Sequence, residues 1–294
     1  MTTRGTTDRP STVLGRQLGD ELRRYREASG LTTTQAAEAL DCTKGKISRM
    51  ENGRVLVRTP DVVALLHAYG VNDSETHERL TLLTRTANRR RRERWWHQYS
   101  SLLAETYRDY IEMESICESI RTFQAQLVPG LLQTPEYSRA VTVASRAWQS
   151  SAEIDQFVQV RLARQQRLTS ETPLSLWVVL AEGVLHQQVG GPDVMRAQLN
   201  HVVGMAERPN VTVQVLPFSR GAHSGMFGPY LLMSFPQATA QDLVLTEAPT
   251  GNFWMEQEAE VTYYRALFDD ARTVALPPTE SLALIRRTAE EFTA

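Results

Sequence analysis

The stretch from Leu31 to Gly53 admits few conformations. Ala36, Ala37 and Leu40 recur at helical spacing behind Thr32, whose hydroxyl can accept a hydrogen bond from a free amide of a helix's first turn. The small alanines let another helix approach closely. Asp41 follows where the chain must reverse, and aspartate is among the few residues other than glycine that tolerate positive φ. Cys42 is expected to fill an apolar position in that turn. Thr43 offers a second cap, after which Ile47 and Met50 share one helical face while Lys46 and Arg49 share another. Two short helices with a tight turn between them, apolar inward and cationic outward, follow from this pattern.

Lys44 and Lys46 are the only lysines among thirty-two basic residues, and both stand at the start of that second helix. An outward face of this kind suits the major groove of DNA. Lysine and arginine reach the O6 and N7 acceptors of guanine, and the positive end of a helix favours phosphate. The flanks support a small helical bundle. Residues 13–29 carry Leu14, Leu18, Leu22 and Tyr25 at helical spacing before Gly30. Thr59-Pro60 starts a helix with Val62, Val63, Leu65, Leu66 and Tyr69, closed by Gly70, and a fifth helix is expected over residues 74–86.

Five helices with the second and third forming the turn resemble the lambda-repressor-like, xenobiotic-response-element (XRE) class of helix-turn-helix regulators. The string Lys46-Ile47-Ser48-Arg49-Met50-Glu51-Asn52-Gly53 carries the resemblance, which covers roughly residues 12–86. It implies base contacts from Lys44, Gly45 and Arg49, and phosphate contacts from Thr43, Lys46, Asn52 and Arg54. Arg58, on the loop that follows, joins the candidate set. Where many members start the second helix with a phosphate-binding glutamine, this chain has Thr33, with Gln35 two residues later. The resemblance also implies a homodimer on half-sites about one helical turn apart.

Charge separates the chain into two parts. Through Trp95 there are eighteen basic and twelve acidic residues, a net of +6, while the remainder has fourteen and twenty-two, a net of −8. Only the front part is suited electrostatically to DNA. Cys42 and Cys117 are too few and too far apart for a disulfide framework or a zinc site, which points to a reducing compartment. No apolar run approaches 20 residues and no leader sequence is evident, so a cytoplasmic protein, on the nucleoid when bound to an operator and away from membranes, is expected. No cofactor and no metal are expected. The anticipated layout is a tail at 1–11, an all-α five-helix helix-turn-helix domain at 12–87, a linker helix at 88–110 and an α/β (mixed α+β) regulatory domain at 111–294. Within the linker, the arginines at 89–92 and 94 either touch phosphates or form the exposed start of a helix that buries Trp95, Trp96, Leu102, Leu103 and Tyr107.

Beyond residue 111 the pattern mixes strands and helices. Residues 119–126 alternate weakly and read as a strand, as do the runs at 174–180, 211–216, 230–235 and 243–246; helices are expected after Pro135 and over 152–168, 192–207, 255–269 and 278–292. The string Leu127-Val128-Pro129-Gly130-Leu131-Leu132-Gln133-Thr134-Pro135-Glu136-Tyr137, with Gln214-Val215-Leu216-Pro217 and Gly221-Ala222-His223, is similar to the C-terminal domain of WhiJ-like actinomycete regulators over roughly residues 100–290. Members of that group are described as antitoxin-like and lie beside small proteins, so the resemblance implies a small protein partner.

Enzymatic chemistry finds little footing. With no lysine after position 46, neither a Schiff base nor a His-x-Lys pair is available there. His186, His201 and His223 lack metal-ligand spacing, and no nucleophile elbow or phosphate loop occurs. Glu112, Glu114, Glu182 and Glu247 are the carboxylates that could pair. A binding pocket is the alternative, built on the glycine-rich loop with His223 and Phe227, together with Trp177, His186 and Trp254. The expectation is a sequence-specific transcriptional regulator, not an enzyme, whose operator occupancy is set through the C-terminal domain by a small ligand or small protein. The alternative is an antitoxin-like protein that holds a small partner and autoregulates its operon.

Overall fold

The computed structural model describes residues 13–89, 95–99, 101–145, 150–236, 240–248 and 251–292. Two compact units emerge: Met1–Trp95 with Pro236–Gln241, and Trp96–Phe235 with Asp242–Ala294. The tail at 1–11 and most of the arginine run lie outside the described residues.

The first unit holds five helices: α1 (Val13–Ala28), α2 (Thr33–Ala39), α3 (Lys44–Glu51), α4 (Thr59–Ala68) and α5 (Ser74–Arg89). Leu14, Leu18, Leu22, Ile47, Met50, Val62, Leu65, Leu66 and Leu80 form its fully buried core. The local chemistry sets the helix starts. Thr32 accepts from the Gln35 amide while the Gln35 side chain accepts from the Thr32 amide, a reciprocal cap. Thr43 caps α3 through the Lys46 amide. Asp41 turns the chain at φ +46°, alone among the described non-glycine residues in having positive φ. Cys42 is half-buried rather than fully enclosed.

Helix α3 is fixed against α1 by contact and by charge. A β-carbon on Gly19 would lie 2.5 Å from the Glu51 carbonyl oxygen, and one on Gly53 would lie 2.6 Å from the Gly15 carbonyl carbon. Hydrogens at both sites are what allow the two backbones to meet. The buried Arg26 guanidinium then grips Glu51 with two bonds, Nε to Oε1 at 2.6 Å and a terminal nitrogen to Oε2 at 3.0 Å. Charge-assisted forks of this geometry are strong. Glu51, within the string that carries the helix-turn-helix resemblance, is thus a structural residue.

The stretch expected as one linker helix is not one. Residues 95–99 form a 3-10 turn, the amides of Leu102 and Leu103 both return to the Tyr99 carbonyl, and extended Ala104 precedes α6 (Glu105–Ile116). The turn closes on Tyr99, so helical hydrogen bonding cannot run through. Trp96 and Leu103 are buried as expected, whereas Trp95 is partly exposed.

The rest of the second unit comprises β1 (Ser119–Gln124), α7 (Pro135–Ala144), α8 (Ser151–Gln165), β2 (Ser175–Ala181), α9 (Gly183–His186), α10 (Pro192–Met205), β3 (Val211–Leu216), β4 (Tyr230–Ser234), β5 (Leu243–Ala248), β6 (Gly251–Met255), α11 (Glu258–Val274) and α12 (Pro278–Glu291). One six-stranded sheet runs in the order β3-β2-β1-β4-β5-β6. Its first three strands in that order are parallel and the other three join antiparallel. Helical crossovers supply the long connections that parallel pairing demands. On one face Phe123, Val179, Leu216, Tyr230, Leu232 and Val244 pack with Val261, Phe268, Ala271 and Ala275 of the α11 region. At the outer edge of β3 both backbone groups of Val215 are occupied: the Leu276 amide donates to the Val215 carbonyl, and the Val215 amide donates to Ser281 Oγ, each at 2.9 Å. Helix α11 begins at Glu258 rather than at 255, because Gly251–Met255 is spent on a strand beside β5.

Candidate nucleic-acid interface

On the first unit, Thr43, Lys44 and Gly45 open α3 and are exposed, as are Gln35, Asn52, Arg54 and Arg58; Thr33, Lys46 and Arg49 are half-buried. Lys44 makes no ion pair among the described residues. Gly45 matters through what lies over it: its ideal β-carbon position is 3.3 Å from an Arg49 terminal nitrogen, so the guanidinium folds back along the helix one turn away. Arg49 Nε is buried without a hydrogen-bond partner. A donor in that condition gains most from an acceptor brought by a ligand.

The other candidates are partly committed within the protein. Gln35 closes the cap on Thr32. Asn52 donates to the Ser48 carbonyl at 2.6 Å and accepts from Arg23 at 2.9 Å. Lys46, expected as a free phosphate ligand, instead has its Nζ 3.1 Å from Asp61 Oδ2, and Arg58 reaches Asp61 Oδ1 at 2.9 Å. Burial raises the Asp61 pKa, and the hydrogen bonds from Arg58 and Lys46 outweigh it, leaving that carboxyl below its ordinary value. One carboxylate therefore stands in the place of a phosphate for two cations. Asp61→Asn is expected to raise affinity for nonspecific duplex DNA by about 3- to 10-fold at low salt. The log–log salt slope should steepen by about 0.9 for each phosphate gained. Anisotropy titrations at two salt concentrations check this.

The string from Leu127 to Tyr137 proves to be a lock. Tyr137 Oη accepts from the Val128 amide at 3.1 Å, and Gln133 Nε2 donates to the Val128 carbonyl at 2.7 Å. Thr134 caps α7, and Gln198 bridges the Thr134 amide and the Leu132 carbonyl at 2.7 and 2.6 Å. Gln133 Nε2, Thr134 Oγ1 and Tyr137 Oη are thus spent on backbone groups, which gives the string a structural role.

Residues 17–80 match a helix-turn-helix domain, and residues 107–287 match a domain of unknown function, DUF5753. The chain belongs to the DUF5753 family. No curated protein and no solved structure matches it. The helix-turn-helix match supports a DNA-binding regulator, and no helix among the described residues is long and apolar enough to cross a membrane.

Within the DUF5753 domain the five expected pocket residues do not share a site. Trp177 lies on β2 and Trp254 on β6, with β1, β4 and β5 between them. Four strand spacings of about 4.8 Å put them about 19 Å apart across the sheet, too far to wall one small pocket. Trp177 donates to Gln214 at 2.8 Å and meets Phe268 edge-on. His186 stacks on Phe218 with its Nε2 3.7 Å from Glu182. Phe227 is 91% exposed. Of the four carboxylates, Glu112 and Glu114 are buried, with Glu114 bound to Arg164; Glu182 accepts from the Phe218 amide, and Glu247 is exposed on β5.

His223 holds its loop through the Gly225 amide, which donates to Nδ1 at 3.1 Å, and its ring packs on Phe123. Burial lowers its pKa, and that of His201, below the ordinary histidine value. Both rings thus favour the neutral state when folded. Their contribution is full above the unfolded pKa of about 6.5 and is lost as pH falls through the depressed folded values. Thermal melts of the DUF5753 domain in the full chain should therefore drop between pH 7 and pH 5, and His223→Gln should flatten part of that slope.

Proposed function

We propose that this DUF5753-family chain is a sequence-specific transcriptional regulator that inserts α3 into the major groove of an operator. Lys44 and Arg49 contact base edges, while Thr43, Asn52, Arg54 and Arg58, with Lys46 once released from Asp61, contact phosphate. The observation that carries this reading is Arg49, whose buried Nε lacks a partner, on the same capped helix as exposed Lys44 five residues before it. It acts in the cytoplasm as a homodimer on half-sites about one turn apart. The DUF5753 domain sets operator occupancy through a small ligand or a small protein.

Selection from a random duplex library, followed by sequencing of what the full chain retains, tests the reading. Enrichment of one inverted-repeat motif is expected, and a library returned without enrichment would refute it. An antitoxin-like role, in which a small partner protein is held, draws support from Phe218, Met226 and Phe227, all exposed on one connection between β3 and β4. Co-expression with the neighbouring small proteins distinguishes the two: a stable stoichiometric complex favours the antitoxin-like role.

A further inference from the structure

The sheet face that meets α11 changes character at the start of β1. Phe123, Val179 and Leu232 belong to its apolar core. Two residues before Phe123 stands Arg121, in register with Trp177 on β2 and Leu232 on β4. Two residues earlier again, Ser119 is in register with Ser175 and Ser234 on the same two neighbours. Residues paired across a sheet point to the same face, so three hydroxyls form a row beside Arg121 and Trp177, all toward α11. Helix α11 adds Arg265 and Arg272, seven residues apart on one stripe, with the Arg272 guanidinium 5.0 Å over the Trp177 ring.

The charges there do not balance. Arg265 is paired with Asp242, and Arg272 with Asp269. Asp242 also accepts from Ser234 Oγ at 2.9 Å and from the Phe235 amide at 3.2 Å, so three donors other than Arg121 engage it. Arg121 has no carboxylate within ion-pair distance among the described residues, and its one hydrogen bond goes to Ser234 Oγ at 3.3 Å. Burial and the neighbouring Arg265 charge both oppose its protonated form, more than Asp242 and Asp269 offset. Arginine stays charged regardless, so an anion brought to this partly exposed guanidinium would supply the counter-charge it lacks.

We propose that Arg121, with the Ser119 and Ser175 hydroxyls beside it and Trp177 as the adjoining wall, binds the phosphate group of a small phosphorylated metabolite. A planar guanidinium fork and two hydroxyls offer donors to the three terminal oxygens of a phosphate monoester, where a carboxylate would leave one side unmet. The assignment goes beyond DNA binding and does not depend on it.

Inorganic phosphate is the probe, titrated into the full chain at constant ionic strength and followed by 31P line broadening and by the melting midpoint. The wild type is expected to saturate in the millimolar range. Arg121→Gln should weaken binding by about tenfold or more. Without phosphate, that variant should melt no lower than the wild type, because it removes an uncompensated charge; an arginine serving the fold would give the opposite shift. The double variant Ser119→Ala/Ser175→Ala should weaken binding several-fold with Arg121 intact, and it carries the test alone if Arg121→Gln fails to fold. No saturation in the wild type, or undiminished phosphate affinity in the variants, overturns the proposal, the second outcome placing the anion on other basic surfaces such as α3.

Discussion

Arg164→Met is expected to destabilise the DUF5753 domain by about 3–5 kcal/mol, the usual loss when one partner of a buried ion pair is removed. Its guanidinium reaches Glu114 twice, Nε to Oε1 at 2.7 Å and a terminal nitrogen to Oε2 at 2.6 Å, with both side chains almost wholly enclosed. The phenol oxygens of Tyr107 and Tyr110 accept from the same guanidinium at 2.5 and 2.9 Å, and Tyr110 donates to Glu114 at 2.8 Å. Burial, and next the Glu114 charge, hold the Tyr110 phenol well above its ordinary pKa, so that proton stays in the network. With methionine at 164, the Glu114 carboxylate would keep its burial and lose its counter-charge. A fall of about 10 °C in the melting midpoint of this domain is expected by calorimetry. The double variant Arg164→Met/Glu114→Leu should recover much of the loss, because both charges then leave together. A single variant melting within a degree of the wild type would contradict this account of the network.

Gly53→Ala should be nearly as damaging, and it should act on the other unit. Gly53 has φ +65°, which strains any L side chain, and its β-carbon would meet the Gly15 carbonyl carbon at 2.6 Å and the Arg16 amide nitrogen at 2.7 Å. Strain of about 1–3 kcal/mol adds to an overpacking cost of similar size. The backbone of α1 cannot swing aside like a flexible side chain, so α3 must shift relative to it. Operator affinity should fall by about 100-fold as α3 loses its seat, with the melting of the DUF5753 domain unchanged. Retained affinity together with a normal melt of the helical unit would show that α1 and α3 tolerate separation there.

Much of the first unit was legible because its instructions are local. Thr32, Thr43 and Asp41 act within three residues of where they stand, and the periodicity of Leu14, Leu18 and Leu22 reports burial directly. The engagement of Lys46 by Asp61 was not legible, since fifteen residues separate the partners and only the fold of α4 onto α3 brings them together. The same holds for Arg26 with Glu51 and, over fifty residues, for Arg164 with Glu114. Strands buried on both faces, such as Val211–Leu216, showed as apolar runs, while β6 was missed because Gly251-Asn252-Phe253-Trp254-Met255 is half-exposed and lacks such a run. The expected pocket failed for a topological reason. Trp177 and Trp254 lie on strands that the sheet order keeps apart, and no spacing along the chain encodes that order.

Titration of the full chain with its selected operator and a scrambled duplex, at two salt concentrations, tests the central claim most directly when Lys44→Ala and Arg49→Ala are compared with the wild type. Loss of a base contact is worth about 1–3 kcal/mol, so Arg49→Ala should bind the operator about 10- to 100-fold more weakly and lose discrimination at one base position. Lys44→Ala should lose operator affinity as well, with the difference persisting at the higher salt. Operator affinity equal to the wild type for both variants, at both salt concentrations, would contradict the docking of α3 against DNA.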